Sequence, residues 1–142
     1  MLSKLIKEYL ELKGLIGGSS GWAGYAVTKL PDSHFTPDNA IAVIEENATQ
    51  EGSDSRYYVD GIPKLIGNVK LAIRGVDLKD MLEHFERVCR EMDLIANVEV
   101  VDGNGELVNI QSCNRTSGIQ YVGLDGTNRR HLATIQYSIQ VS

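Results

Sequence analysis

Residues 68–93 read NVKLAIRGVDLKDMLEHFERVCREMD. Within this one stretch the hydrophobic period changes from two to between three and four. Val69, Leu71 and Ile73 alternate with Lys70, Ala72 and Arg74, as a strand with one buried face requires. Asp77 is then a natural helix N-cap, Asp80 puts an acid in the first turn, and Val76 is placed to staple onto Met81. Leu78, Met81, Leu82, Phe85, Val88, Cys89 and Met92 fall on one side of the helix that follows. A strand thus leads into an amphipathic helix, and the rest of the chain is read outward from that pair.

Toward the N-terminus, Leu2, Leu5, Ile6, Tyr9 and Leu10 recur at helical spacing and predict a helix ending near Gly14. "WAGYAVTKL" predicts a strand, "PDSHFTPDN" a loop and "AIAVIEE" a second strand. "NATQEGSDSR" has no period and reads as a mobile loop or hairpin tip, and "YYVDGIPKLIGN" as a strand followed by an irregular connector over 62–68. Toward the C-terminus, "NVEVVDGNGELVNIQS" predicts two strands around a glycine-rich turn. "GIQYVGL" and "HLATIQYSIQVS" predict two more, joined by the polar loop "DGTNRR". The last strand alternates to the final residue, which predicts a C-terminus built into the sheet. The expected fold is α+β in a single domain over 1–142: a mostly antiparallel sheet with two amphipathic helices packed on one face. Its expected core is Leu5, Ile6, Leu10, Val69, Leu71, Ile73, Leu78, Leu82, Phe85, Val88, Ile135, Tyr137 and Ile139.

The chain has 142 residues, a formal net charge of −5, and 42% hydrophobic and 23% charged residues. That balance fits a globular domain and argues against a protein whose task is to neutralise a phosphate backbone. No apolar run reaches the roughly 20 residues needed to span a bilayer, and the N-terminal segment mixes Lys and Glu into its apolar positions, unlike a signal peptide. A cytoplasmic protein is expected, and its two cysteines, Cys89 and Cys113, are expected as free thiols. The sequons at Asn47 and Asn114 then carry no meaning.

The segment "GLIGGSSGWAGYAV", residues 14–27, holds five glycines and two serines. A phosphate loop needs a strand before it, a helix after it and a Lys followed by Ser or Thr at its end. Here a helix precedes, a strand follows and no Lys is present, so the expected role is a flexible connector. His34, His84 and His131 form no metal-ligand spacing, and His84 is expected at the boundary of its helix face. Ser19 and Ser20 lie outside a G-x-S-x-G elbow. Asp77 and Asp80 are explained by the helix start. Cys113 with His131 is conceivable as a dyad but has no third group. No enzymatic activity, cofactor or metal is expected. Arg129 and Arg130 form the sharpest basic cluster. They are expected on a hairpin turn that is either simply solvated or meets an acidic partner surface or DNA.

The stretch "LPDSHFTPDNAIAVIEE" resembles a segment of phage minor capsid proteins of the tail-terminator type. There a first helix and a small loop lead to a strand, and a Pro-Asp … Pro-Asp-Asn turn feeds a second apolar strand. The matching residues are Pro31, Asp32, Pro37, Asp38 and Asn39, followed by Ala40 to Ile44. "VKLAIRGVDLKDMLEHFERVCREM" is similar to that family's strand, Arg-Gly step and long helix, and "GIQYVGLDGTNRRHLATIQYSIQV" to its closing hairpin. The resemblance implies a structural protein of the virion neck, assembled in the host cytoplasm. Its copies, commonly six, would form a homo-oligomeric ring that caps the tail tube protein and joins the head-tail connector or stopper protein. DNA would only pass through the ring, and no membrane is involved. On this reading Arg56, Arg129 and Arg130 and the carboxylates Glu45, Glu46, Glu51 and Asp54 are the candidate interaction residues. Glu46 to Tyr57 is expected to be mobile in the isolated subunit and to order only against a neighbour or the tail tube. Two alternatives remain open at this point: a head-completion or stopper protein of the same neck, and a small-ligand or enzyme domain using the glycine-rich loop.

Overall fold

A computed structural model describes residues 2–27, 38–45, 55–59, 62–101, 105–125 and 130–141, the side chains of 55–65 and 125 excepted. In chain order these form α1 (Leu2–Leu12), β1 (Ala23–Val27), β2 (Ala40–Glu45), β3 (Ser55–Val59), β4 (Ile62–Gly75), α2 (Leu78–Asp93), β5 (Ala96–Val101), β6 (Leu107–Arg115), β7 (Gln120–Asp125) and β8 (Arg130–Val141). The strands share one curled sheet in the order β1-β2-β4-β8-β6-β5, with β3 added beside β4 and β7 beside β8. Among the described residues only β1 and β2 pair in parallel; the other ladders are antiparallel. The expected α+β architecture is present.

The register decides which residues meet the helices. Ile41↔Ile73 and Val43↔Leu71 pair across β2 and β4, and Leu71↔Ile135 and Val69↔Tyr137 across β4 and β8. Side chains directly opposite each other share a face. These residues form one core with Leu5, Ile6 and Leu10 of α1 and with Met81, Phe85 and Val88 of α2. Both helices therefore cover the same face. α2 is held there by its spacing: Met81, His84, Phe85, Val88, Cys89 and Met92 are all buried. Its start is capped as expected, since Asp77 Oδ1 accepts from Asp80 N at 3.0 Å. α1 stops where Gly14 takes φ +71°. Leu15 N then donates to Leu10 O at 3.1 Å and Gly14 N to Glu11 O at 3.0 Å, the paired bonds of a Schellman motif.

Several expectations need correction. Residues 62–68 are not an irregular connector but the first half of β4, with Val59↔Ile62 and Tyr58↔Pro63 paired to β3. Pairing to β8 begins only at Leu65. Pro63 therefore sits where β4 has a described neighbour on one side alone, a position that tolerates the missing N–H. Ser55 to Tyr57, expected in a mobile loop, belong to β3; residues 46–54 lie outside the described residues. Leu78 is exposed and Leu82 only partly buried, so neither anchors the core as expected. Val76, the expected staple to Met81, is half exposed, and Met81 itself packs close to Gly75. A Cβ at Gly75 would lie 3.2 Å from Met81 Cβ and 3.2 Å from Trp22 Cη2, so a side chain there would press both neighbours back by a few tenths of an ångström. No helix among the described residues is long and apolar enough to cross a membrane.

Candidate functional site

The glycine-rich segment is not a flexible connector. Ile16 and Trp22 are buried, and Ile16 lies over Gly24 so closely that a Cβ there would come within 2.5 Å of Ile16 Cδ1. Between them the loop closes on itself. Gly17 N donates to Trp22 O at 2.7 Å and Ser20 N to Gly17 O at 3.1 Å, while Trp22 N donates to Ser20 Oγ at 3.1 Å. A cavity of about 370 Å³ opens beside it, lined by Glu11, Ile16, Ser19 and Ser20 with the glycines. A phosphate site needs free N–H groups and the positive end of a helix. This loop uses three of its N–H groups internally, follows the carbonyl end of α1 and carries the Glu11 carboxylate. All three features disfavour an anion.

His84 fixes this loop to α2. Its ring stacks on Trp22 with centroids 4.5 Å apart and planes within 2°. Its Nε2 lies 2.8 Å from Leu15 O. A carbonyl only accepts, so Nε2 carries the proton and donates it. His84 is buried rather than at the boundary of its helix face. Burial lowers its pKa from 6.5; the bond to Leu15 works against that shift and the Arg87 charge adds to it. A depressed folded value means that acid favours the unfolded chain, which takes up the proton more readily. The stability carried by neutral His84 is complete above about pH 6.5 and is lost as pH falls through the lower folded value. Wild type should thus lose thermal stability between neutral pH and pH ~5.5, and His84→Gln, read by the same melting curves, should lose less over that interval. Parallel curves for the two proteins would contradict the assignment.

A second cluster ties the end of α2 to the sheet. Arg115 Nε donates to Asp93 Oδ1 at 2.9 Å and Arg115 Nη2 to Oδ2 at 2.6 Å, a two-pronged pair between β6 and α2. Tyr137 Oη of β8 donates to the same carboxylate at 3.4 Å. Hydrogen bonding to Asp93 raises the Arg115 pKa, and burial raises that of Tyr137. Beneath lie both thiols, buried and free. Burial pushes the Cys113 thiol up to about 12, and it pushes Cys89 upward too. A nucleophilic cysteine needs the opposite shift. The conceived pairing of Cys113 with His131 is overturned by register. Cys113 lies opposite Ile139, eight residues along β8 from His131, which is roughly 26 Å of strand. His131 instead meets Tyr121 Oη, 2.6 Å from its Nδ1.

Of the expected interaction residues, the side chains of Glu45 and Arg130 are among those described. Glu45, at the end of β2, turns inward: its Oε1 accepts from Ser3 N at 2.9 Å and Ser3 Oγ at 3.1 Å. α1 has no acidic residue in its first turn, so a carboxylate from another element neutralises its N-terminus. The position of a strand end against a helix start has no local sequence signal. Arg130 is not on an exposed turn. It belongs to β8, opposite Asp125, is 3% exposed, and has its Nε 3.6 Å from Asp38 Oδ1. Arg56 lies in β3 opposite Leu65, with its side chain outside the description. Glu46, Glu51, Asp54 and Arg129, like His34, lie outside the described residues. Set against known proteins, the chain matches no family model and no curated protein.

Proposed function

We propose that this chain is a structural subunit of a phage neck, whose copies form a ring that terminates the tail tube and joins it to the head connector. The observation that carries this reading is the order of elements. A helix and packed loop lead to β1, an Asp38-Asn39 bend leads to the apolar β2, β4 passes through Arg74-Gly75 into α2, and β7 and β8 close the chain as a hairpin. β2, β4 with α2, and the β7–β8 hairpin fall in the segments that carry the resemblance, and α1 and β1 precede them in the family's order. The chemistry agrees. The glycine loop is closed on itself beside a carboxylate, burial raises the pKa of both thiols, and the two-pronged Asp93–Arg115 pair, which borders an open cavity of about 320 Å³, ties α2 to β6. A ring subunit needs a rigid body with edges, not a reactive site.

The test is to add the purified protein to the tail-tube protein as it polymerises and to measure tube lengths by electron microscopy. The reading expects tubes that stop growing and carry a cap at one end. Tubes that lengthen at the same rate with and without the protein would refute it.

A further inference from the structure

Five of the large hydrophobic residues left exposed lie at one corner of the molecule. Val76 and Leu78, 51% and 38% exposed, lead into α2, and Tyr121, Val122 and Leu124, 50%, 61% and 50% exposed, lie on β7. The register brings the two groups together. Gly75, just before Val76, pairs with His131, and His131 pairs on its other side with Leu124. The next row is Ile73, Ala133 and Tyr121. The corner is thus the helix-covered face of the sheet where α2 begins, bounded by an edge strand. Among the described residues β7 pairs only with β8, and no described strand lies along its outer edge. A bulge between Tyr121 and Gly123 adds to the irregularity of this edge.

We infer that this corner, the start of α2 with the edge of β7, docks on a second copy of the chain. The inference rests on the ring reading. The five exposed residues there present roughly 450 Å², within the ~300–600 Å² of the largest apolar patch on a typical monomer, a patch that is often functional. A standard interface covers about 800 Å² per partner, a little over half of it apolar. The corner therefore matches the apolar share of one such interface, with the polar share left to the strand edge. An open strand edge also needs another strand: β1, β3 and β5 each pair with a single described strand, and of these β1 is the edge opposite β7 along the row Gly24, Ile41, Ile73, Ala133 and Tyr121. Joining β7 of one copy to β1 of the next uses different surfaces on the two partners. Such head-to-tail contacts close into a ring when the rotation between copies divides a full turn, and otherwise extend as a filament.

The test pairs sedimentation velocity with hydrogen exchange on the full chain, for wild type and for the double variant Val122→Glu/Leu124→Glu. Both residues are exposed, so the variant should melt like wild type. Its association should weaken by about a hundredfold or more, as expected when charges enter the centre of an apolar contact. In assembled wild type, the amides of Gln120–Asp125 and Ala23–Val27 should exchange more slowly than in dilute protein. A wild type that stays monomeric at every concentration would overturn the inference, as would assemblies that the variant leaves intact. Intact assemblies in the variant would still leave the ring reading standing. Closed dimers that the variant abolishes would support the corner and contradict the ring.

Discussion

Phe85→Ala should lower the free energy of unfolding by about 3–5 kcal/mol, the usual cost of removing a fully buried aromatic ring. Phe85 is 0% exposed and lies on the buried side of α2 with Met81, Val88 and Met92. Truncation removes the ring's contacts with the sheet and leaves a cavity that a helix tied at both ends cannot close. Met81, packed close to Gly75 at the end of β4, holds one end of α2 and the Asp93–Arg115 pair the other. Denaturant titration reads the effect as a lower midpoint at unchanged slope. A midpoint within error of wild type would mean that α2 does not pack as described.

The second large effect is expected at Arg130. Arg130→Glu should cost about 3–5 kcal/mol, because it buries a carboxylate where a cation stood and sets it beside Asp38. Arg130→Met should cost much less. It keeps the apolar stem, and Asp38, with its side chain 69% exposed, remains hydrated without its partner. Thermal melts of both variants check this. A glutamate variant as stable as wild type would return Arg130 to a solvated turn.

That residue also shows where sequence reading stops. The alternation of β8 is plain from Ala133 to Val141, and it correctly gives the odd-numbered residues to the core. Extended backward, it puts Arg130 with the even-numbered residues on the opposite face. Alternation cannot say whether that face is covered. Arg74, Ala40 and Ala42 share it by register and are buried as well. Burial there depends on what the fold brings across the sheet, and no local period records that. The β3–β4 hairpin is a different kind of miss. Asp60-Gly61 between Val59 and Ile62 is a strong hairpin signal, but Pro63 and Gly67 break the pattern that would have extended the strand. Leu78 fits the helical stripe yet stays exposed, because it precedes Met81, the residue that packs against the end of β4. The glycine segment was legible in what it lacks for phosphate binding. Its rigidity was not, since Ile16 and Trp22 are fixed by Gly24, Gly75 and His84, three contacts made at a distance along the chain.

The central claim is that this chain is a part built to assemble into a ring. Negative-stain imaging of the purified protein tests it most directly. The account predicts closed rings with a central hole, their number rising with protein concentration. Isolated globules at every concentration, with no ring in any field, would contradict it.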